Sequence, residues 1–281
     1  MTDYRIQRWA GASGLSLASE VFGSADAPPV ILIHGGGQTR RAWRGGAKMI
    51  ASAGFRAISI DQRGHGESDW SPCAEYSPLA GASDLSEIMA QLDRPAILVG
   101  ASRGGHLALL AAAAANGRAA RALVLVDIAP RFDQSGAKQI RGFMHSSSRG
   151  FDTVEEAAAL LSEYMNRPGS TDFSRLRRTM REGDDGRLYW HWDPRFADSL
   201  TEAEYFEAIY VEAAQKIKCP TLLVRGAQSE IIKDEHVVHF KSLVPHAEVV
   251  SVPDAGHMVS GDENDAFNDA IVKFISGLPK L

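Results

Sequence analysis

The chain has 281 residues, of which 44% are hydrophobic and 23% are charged, and its formal net charge is -5 at pH 7. This composition is typical of a globular protein and excludes wholesale disorder. The slight acidic excess argues against non-specific binding to nucleic acid, which usually requires a basic face. The two cysteines, Cys73 and Cys219, are too few for a disulfide framework and lack the spacing of metal ligands.

The first twenty residues are polar and contain no continuous apolar segment, so we expect no signal peptide. Their pattern is typical of a pair of strands at the antiparallel edge of a sheet. The longest apolar run, residues 107–115, is mostly alanine and is shorter than the roughly 20 residues of a membrane span. We therefore expect a cytoplasmic protein, monomeric or homodimeric, that acts on a small-molecule substrate and binds neither a membrane nor a nucleic acid.

Short apolar runs alternate with longer helical patterns along most of the chain. Each run has four or five apolar residues and ends in a glycine or a polar residue, which is typical of strands buried on both faces of a parallel sheet. The runs are residues 29–34, 56–61, 96–100, 122–127 and 221–226, and the helical patterns between them are residues 42–53, 82–92 and 104–115. Strand and helix in alternation predict an α/β fold with right-handed crossovers.

The alternation breaks between residues 130 and 218, where the sequence is polar and helical. The predicted helices there are residues 154–164, 174–181 and 201–215, and an aromatic cluster occupies residues 189–194. The strand pattern resumes after this stretch. It therefore indicates a helical lid over residues 130–218, inserted between two strands of a core domain that comprises residues 1–129 and 219–281.

The strongest motif is the sequence GASRG at residues 100–104. It directly follows the apolar run at 96–99 and directly precedes the helical pattern at 104–115. A G-x-S-x-G motif in this strand–turn–helix context is typical of a nucleophile elbow, in which a sharp turn exposes the serine hydroxyl above the sheet. The N-terminus of the helix then points at developing negative charge. We predict that Ser102 is a nucleophile.

A serine nucleophile needs a base that a third group orients, and the chain order in this fold is serine, acid, histidine. His257 lies beside a glycine on the loop after the last apolar run, residues 249–252, and is the predicted base. Two carboxylates compete for the third position. Glu230 follows the strand predicted at 221–226 and is favoured by chain order, whereas Asp127 follows the preceding strand and stays an alternative.

These motifs resemble those of the α/β-hydrolase superfamily, and the resemblance covers nearly the whole chain. The sequence HGGG at 34–37 is similar to the family's oxyanion loop, and residues 61–68 are similar to its turn after the next strand, where His65 is expected to be structural. The resemblance implies a mostly parallel eight-stranded sheet flanked by helices. It also implies that the backbone N–H groups of Gly36 and Arg103 form an oxyanion hole. No cluster of histidines and carboxylates has metal-ligand spacing, so we expect neither a metal nor a cofactor.

Two residues depart from the pattern that relatives usually show. Many relatives have aspartate where Glu230 stands, and the longer glutamate side chain has to approach the imidazole from a different position, which keeps Asp127 as an alternative. Relatives often have an apolar residue where Arg103 stands. The Arg103 cation either attracts an acidic substrate or points away from the site and pairs with a carboxylate of the lid.

The leading functional prediction is a serine hydrolase that cleaves a small ester or lactone through an acyl-enzyme, with Ser102 as nucleophile and His257 as base. Trp190, Trp192 and Gly37 are candidates for the wall of the substrate pocket, although packing of the lid on the core explains the tryptophans equally well. The same triad is compatible with hydrolysis of a carbon–carbon bond in a diketone-like aromatic breakdown product, or with a cofactor-free perhydrolase or haloperoxidase. A non-catalytic small-molecule binder is the alternative of another class, against which the intact motifs argue.

Overall fold

The computed structural model describes residues 4–117, 119–164, 173–177, 179–253, 255–256 and 265–279. In chain order the strands are β1 (Arg5–Ala10), β2 (Ser16–Phe22), β3 (Pro29–Ile33), β4 (Arg56–Ile60), β5 (Ile97–Ala101), β6 (Ala122–Val126), β7 (Met180–Glu182), β8 (Leu188–Trp190), β9 (Thr221–Gly226) and β10 (Glu248–Val252). Strands β7 and β8 pair with each other. The other eight form one sheet in the order β1-β2-β4-β3-β5-β6-β9-β10.

Helices cover both faces of this sheet. In chain order the α-helices of the described residues, including those of the segment between β6 and β9, are α1 (Arg44–Ser52), α2 (Pro78–Ala90), α3 (Arg103–Gly117), α4 (Gln134–Ser146), α5 (Val154–Tyr164), α6 (Phe173–Arg177), α7 (Ala203–Lys216), α8 (Asp234–Leu243) and α9 (Asp265–Ser276). Helices α2, α3, α7 and α8 contribute to the hydrophobic layer that contains Ile31 and Ile33 of β3, whereas α1 and α9 contribute to the layer that contains Val30 and Leu32. None of the helices in the described ranges is long and apolar enough to cross a membrane.

The strand pattern predicted from the sequence is confirmed. Strands β3, β4, β5, β6, β9 and β10 run parallel to their neighbours in this set, and each overlaps a predicted apolar run. At the edge, β1 pairs with β2 and β2 pairs with β4 in antiparallel orientation, as the first twenty residues indicate. Apolar side chains on both sides of the parallel strands explain why these runs are continuous and do not alternate with polar residues.

We call residues 130–218 the inserted segment, because they lie between β6 and β9, which are neighbours in the sheet. The segment is not wholly helical. The helix predicted at 174–181 ends at Arg177, and β7 begins at Met180 and pairs antiparallel with β8. The turn between these strands contains Gly183 and Gly186. Gly186 has a φ of 76°, which L residues rarely adopt. A glycine-bounded turn of this kind favours a hairpin, and the pairing ends the helix early.

The inserted segment contributes to two separate hydrophobic clusters. Its last helix, α7, packs into the core beside α3 through Phe206, Tyr210 and Ala214. The rest forms a cluster with Tyr76 of the core, and its buried members are Met144, Phe151, Ala157, Ala158, Leu176, Met180, Leu188, Trp190, Trp192, Phe196 and Ala197. This packing groups α7 with the core domain, although the predicted lid boundary includes it.

The crossing of the β5–α3 turn over the end of β3 depends on a glycine. A Cβ atom on Gly104 would lie 2.4 Å from the carbonyl oxygen of His34 and 2.5 Å from that of Ile33.

Because backbone atoms cannot move aside as a side chain does, we predict that Gly104→Ala lowers the free energy of unfolding by at least about 2 kcal/mol in urea denaturation. The control is Gly142→Ala in α4, where an added Cβ meets no atom within 4 Å. We expect this change to leave stability unchanged or to raise it by up to about 1 kcal/mol, and equal losses in the two variants would contradict the steric argument.

Candidate active site

Five loops meet at the edge of the sheet where the parallel strands end. The loops after β3, β4, β5, β6 and β9 carry Gly36, His65, Ser102, Asp127 and Ser229, respectively. Ligands of open α/β sheets bind outside the carboxyl ends of the strands, which makes this edge the candidate active site.

Ser102 occupies the turn between β5 and α3 with a φ of 47°, in the left-handed region that non-glycine residues rarely adopt. Its N–H donates to the carbonyl of Val126 at 3.0 Å, and its own carbonyl accepts from the N–H of Gly105 at 2.8 Å. These bonds to a neighbouring strand and to the helix hold the strained backbone in place. The side chain is partly exposed. The turn therefore has the conformation of a nucleophile elbow.

The amides of the loop after β3 differ in their hydrogen bonds. The N–H of Gly35 donates to Oε1 of Gln38 at 2.9 Å, and the N–H of Gly37 donates to Nε2 of His65 at 3.1 Å. The N–H of Gly36, between them, has no acceptor among the described residues. The pairing of its two neighbours holds the loop in one conformation and leaves one amide available to a ligand.

A second available amide lies next to the first. The N–H of Arg103 is the first of α3, so no earlier residue of the helix accepts from it, and it bonds to no described residue outside the helix either. A Cβ atom on Gly35 would lie 3.5 Å from Cβ of Ser102, so the loop and the elbow are in contact. Two amides that have no acceptor among the described residues and lie beside a serine hydroxyl are suitable donors for an oxyanion hole.

His65 acts as a neutral hydrogen-bond acceptor in this arrangement. Because Nε2 accepts from Gly37, the proton is on Nδ1, which donates to the carbonyl of Arg63 at 3.1 Å. Burial, followed by the neighbouring His34, lowers the pKa of His65 well below its ordinary value. The ring stays uncharged at neutral pH, and its bond to the loop is retained. This contact is consistent with the structural role expected for His65.

Two buried ion pairs support the turn that carries His65. The Arg40 side chain bonds to Asp61, whose carboxylate also accepts from the backbone N–H of Arg40 at 2.6 Å. Arg63 and Asp84 form a bidentate pair with distances of 2.6 and 2.8 Å. Loss of one partner from a buried pair leaves an uncompensated charge, so these pairs oppose displacement of the turn.

The two candidate acids have different surroundings. Asp127 is buried, has a φ of 50°, and accepts hydrogen bonds from the N–H of Gly226 at 3.0 Å and the hydroxyl of Ser229 at 2.7 Å. Glu230 is exposed, and its side chain has no hydrogen bond or ion pair to any residue that the structure describes. Its predicted partner, His257, lies outside the described residues. No sequence pattern indicates the contact between Asp127 and Ser229, because it forms only when the fold brings the β6 and β9 loops together.

Aromatic side chains of the inserted segment pack on the loops of the site. A Cβ atom on Gly37 would lie 3.5 Å from the ring of Trp192, which stacks on Trp190 with a centroid distance of 5.3 Å. Phe196, which no sequence motif singles out, contacts His65 edge to face with a centroid distance of 4.5 Å. Trp190, Trp192 and Phe196 are each at most 8% exposed. Trp192 thus packs on a core loop and Trp190 packs on Trp192, and the role of both tryptophans in a pocket wall stays a prediction.

Proteins of known activity are similar to this chain over most of its length. An sn-1-specific diacylglycerol lipase from Mus musculus is 30% identical over 271 residues, which are 90% of this chain and 83% of the relative. An esterase from Mycobacterium tuberculosis is 29% identical over 259 residues, which are 87% of this chain and 82% of the relative. The crystal structure of E-2-(acetamidomethylene)succinate hydrolase superposes with a TM-score of 0.83 and 26% identity, covering 98% of this chain and 100% of the other.

The family-level comparison agrees with the observed architecture. The sequence model described as alpha/beta hydrolase fold matches residues 28–263, which is most of the chain. The resemblance was drawn from the GASRG and HGGG motifs and from residues 61–68, and the eight-stranded, mostly parallel sheet that it implies is observed. The prediction of the superfamily is confirmed, and the chain belongs to the alpha/beta hydrolase fold family.

Proposed function

We propose that the protein is a serine hydrolase that cleaves a small ester or lactone through an acyl-enzyme. The Ser102 hydroxyl attacks the ester carbonyl while His257 takes its proton, and the tetrahedral oxyanion accepts hydrogen bonds from Gly36 and Arg103. Collapse of this intermediate releases the alcohol, to which His257 returns the proton. Water then repeats the sequence on the acyl-enzyme and releases the acid.

One observation carries this proposal: Ser102 has a φ of 47° beside a loop in which Gly36 alone of three consecutive glycines lacks a protein acceptor among the described residues. A structural βα turn needs neither the strained serine nor the unpaired amide. Backbone strain of this kind persists where the surrounding structure enforces it and is concentrated at active sites, and the partly exposed amide of Gly36 is open to a ligand.

We propose Asp127 as the acid that orients His257, in place of the Glu230 that chain order favours. The acid must accept the Nδ1–H bond of the imidazole and remain ionised beside it. Asp127 lies at the end of β6, the strand next to the nucleophile strand, and the bonds from Gly226 and Ser229 fix its carboxylate. The exposed Glu230 has no such support.

The activities of the relatives favour ester chemistry, since a diacylglycerol lipase and an esterase both hydrolyse esters. The carbon–carbon bond and perhydrolase alternatives use the same three residues. None of the described contacts favours either of them over ester hydrolysis.

The nucleophile is tested by Ser102→Ala. We expect kcat for p-nitrophenyl acetate to fall by more than about 100-fold and labelling by a fluorophosphonate to disappear, because no other group supplies the attacking oxygen. Ser83→Ala on the exposed face of α2 is the control and should retain full activity. Residual activity above about 1% in a folded Ser102→Ala protein would remove Ser102 from this role.

The acid is tested by a pair of amide substitutions. Asp127→Asn should lower kcat by at least about 100-fold, because the amide keeps the geometry but favours the wrong imidazole tautomer, whereas Glu230→Gln should lower it by less than about 10-fold. Steady-state kinetics with p-nitrophenyl acetate, alongside circular dichroism to verify folding, measures both. The opposite ranking would return the acid to Glu230.

The support of the oxyanion loop is tested at His65. His65→Ala leaves the Gly37 N–H without its acceptor, and we expect kcat to fall by about 10- to 100-fold with little change in KM, less than the full loss of an oxyanion donor. His65→Gln retains a side-chain acceptor and should recover part of kcat. Exposed His145→Ala is the control. A rise in KM at constant kcat would indicate a role in substrate binding instead.

A further inference from the structure

The Arg103 side chain lies at the contact between the oxyanion loop and the inserted segment. A Cβ atom on Gly36 would lie 3.7 Å from Cδ of Arg103, so the aliphatic part of the side chain touches the loop. The guanidinium carbon lies 4.7 Å from the ring centroid of Phe196. One Nη atom donates to the carbonyl of Tyr76. The cation is therefore held beside the proposed oxyanion hole.

No carboxylate pairs with this cation among the residues that the structure describes. Nε of Arg103 is buried and has no hydrogen-bond partner among the described residues. Besides burial, the Tyr210 hydroxyl and the Arg63 cation affect the pKa of Arg103, and burial raises the pKa of Tyr210, so that this hydroxyl is neutral and is not an anion at neutral pH. The nearby Arg63 shows the usual arrangement, in which a buried arginine has a bidentate carboxylate, here Asp84. Burial lowers the pKa of Arg103 to about 10, so the group is still charged at neutral pH.

The two protein contacts do not account for the cation. Stacking on Phe196 uses the face of the guanidinium, and the bond to Tyr76 uses one of its five N–H groups. The Arg103 side chain is half-buried, and a neutral side chain of similar length would pack against Phe196 without the cost of partly removing a charge from water. Charges withdrawn from water are normally retained where an opposite charge pairs with them, and the absence of such a charge among the described residues points to a bound anion.

The position of Arg103 limits where such an anion lies. Arg103 follows Ser102 in the chain, and its side chain runs along Gly36, whose amide is one of the proposed oxyanion donors. An anion on the guanidinium is therefore close to the carbonyl under attack. A carboxylate has the planar, two-oxygen shape that the guanidinium fork binds in bidentate fashion.

We propose that Arg103 binds a free carboxylate of the substrate, which makes the substrate class esters that carry a carboxylate close to the scissile bond. This inference rests on the proposed ester hydrolysis and adds its specificity. The carboxylate belongs either to the acyl group, as in the half-ester of a dicarboxylic acid, or to the alcohol. The same pairing serves both, and the substrates below distinguish them.

The experiment compares matched esters that differ only in a masked carboxylate. For the acyl side, p-nitrophenyl hydrogen glutarate is compared with its methyl ester; for the alcohol side, p-carboxyphenyl acetate is compared with its methyl ester. We expect kcat/KM of the wild-type protein to be at least about 10-fold higher for the free carboxylate in one of these pairs, since hydrogen bonds between charged groups are strong. No preference in either pair would overturn the inference.

The Arg103→Met variant assigns that preference to the side chain. It keeps a flexible chain against Gly36, and we expect the ratio of kcat/KM between the two members of the pair to fall by at least about 10-fold. Arg94→Met is the matched control, because Arg94 is a surface residue near the opposite end of β5 and its loss changes the net charge equally. The Arg94→Met control should leave the ratio unchanged.

Arg103→Lys keeps the charge but lacks the guanidinium fork, so it should lower the ratio in part. It replaces Arg103→Met if that variant does not fold. An unchanged ratio in either folded variant would overturn the inference.

Two further measurements separate this inference from the proposed function. Fluorophosphonate labelling of the wild-type protein reports an activated serine, independently of any carboxylate. Titration calorimetry of glutarate with the wild-type and Arg103→Met proteins reports anion binding, independently of turnover. Labelling without a carboxylate preference leaves the hydrolase standing and removes the inference. Binding of glutarate that is lost in Arg103→Met, without labelling, supports the anion site and removes the hydrolase.

Discussion

The end of β3 and the β5–α3 turn approach each other at backbone distance, and the arrangement of the site depends on that contact. A Cβ atom on Gly100 would lie 2.3 Å from the carbonyl oxygen of Gly104, so the turn is as tight as the chain allows. This tightness holds Ser102 in its left-handed conformation and brings the first amide of α3 beside the loop that carries Gly36. The proposed nucleophile and both proposed donors are therefore positioned by a single contact and not by three independent ones.

Polar groups around this contact are satisfied mainly by one another. Gln38 and His65 accept the amides on either side of Gly36, and the low pKa of buried His65 makes it a dependable acceptor in the neutral range. A protonated imidazole donates from both nitrogens and has no lone pair for an amide. Burial thus preserves the loop against changes in pH, while the Arg103 cation is the charge in this region that the described protein groups leave unpaired.

The sequence was sufficient for the parts of the fold that depend on local pattern. Continuous apolar runs predicted the parallel strands, because both faces of the sheet are covered, and the glycines at 100 and 104 predicted the elbow, because only glycine permits that approach. The hairpin of β7 and β8 was missed because the predicted helix included Met180 and Arg181, whereas these residues pair with Trp190 and Tyr189 across the glycine-bounded turn and the helix ends at Arg177. Packing and pairing partners outweigh the propensity of single residues at such positions.

The choice between the two acids shows a different limit. Chain order alone favours Glu230, because a sequence does not reveal which carboxylate is buried or which loops meet. Asp127 accepts hydrogen bonds from Gly226 at the end of β9 and from Ser229 in the loop after it, about one hundred residues further along the chain. Similarly, the contacts of Phe196 with His65 and Arg103 arise only when the inserted segment folds over the sheet edge.

The attachment of the inserted segment to the β4 turn has a consequence for substrate entry. The N–H of Gly66 donates to the carbonyl of His191 at 2.6 Å, and the N–H of Asp193 donates to the carbonyl of Gly64 at 2.8 Å. Together with the packing of Trp192 on Gly37, these bonds make this part of the segment a fixed wall. A hinge motion that lifted this wall would break these two backbone hydrogen bonds and would remove support from the proposed oxyanion loop during each turnover. Access to the serine is therefore expected along a path that leaves this wall closed, so that the reaction geometry persists while ligands exchange.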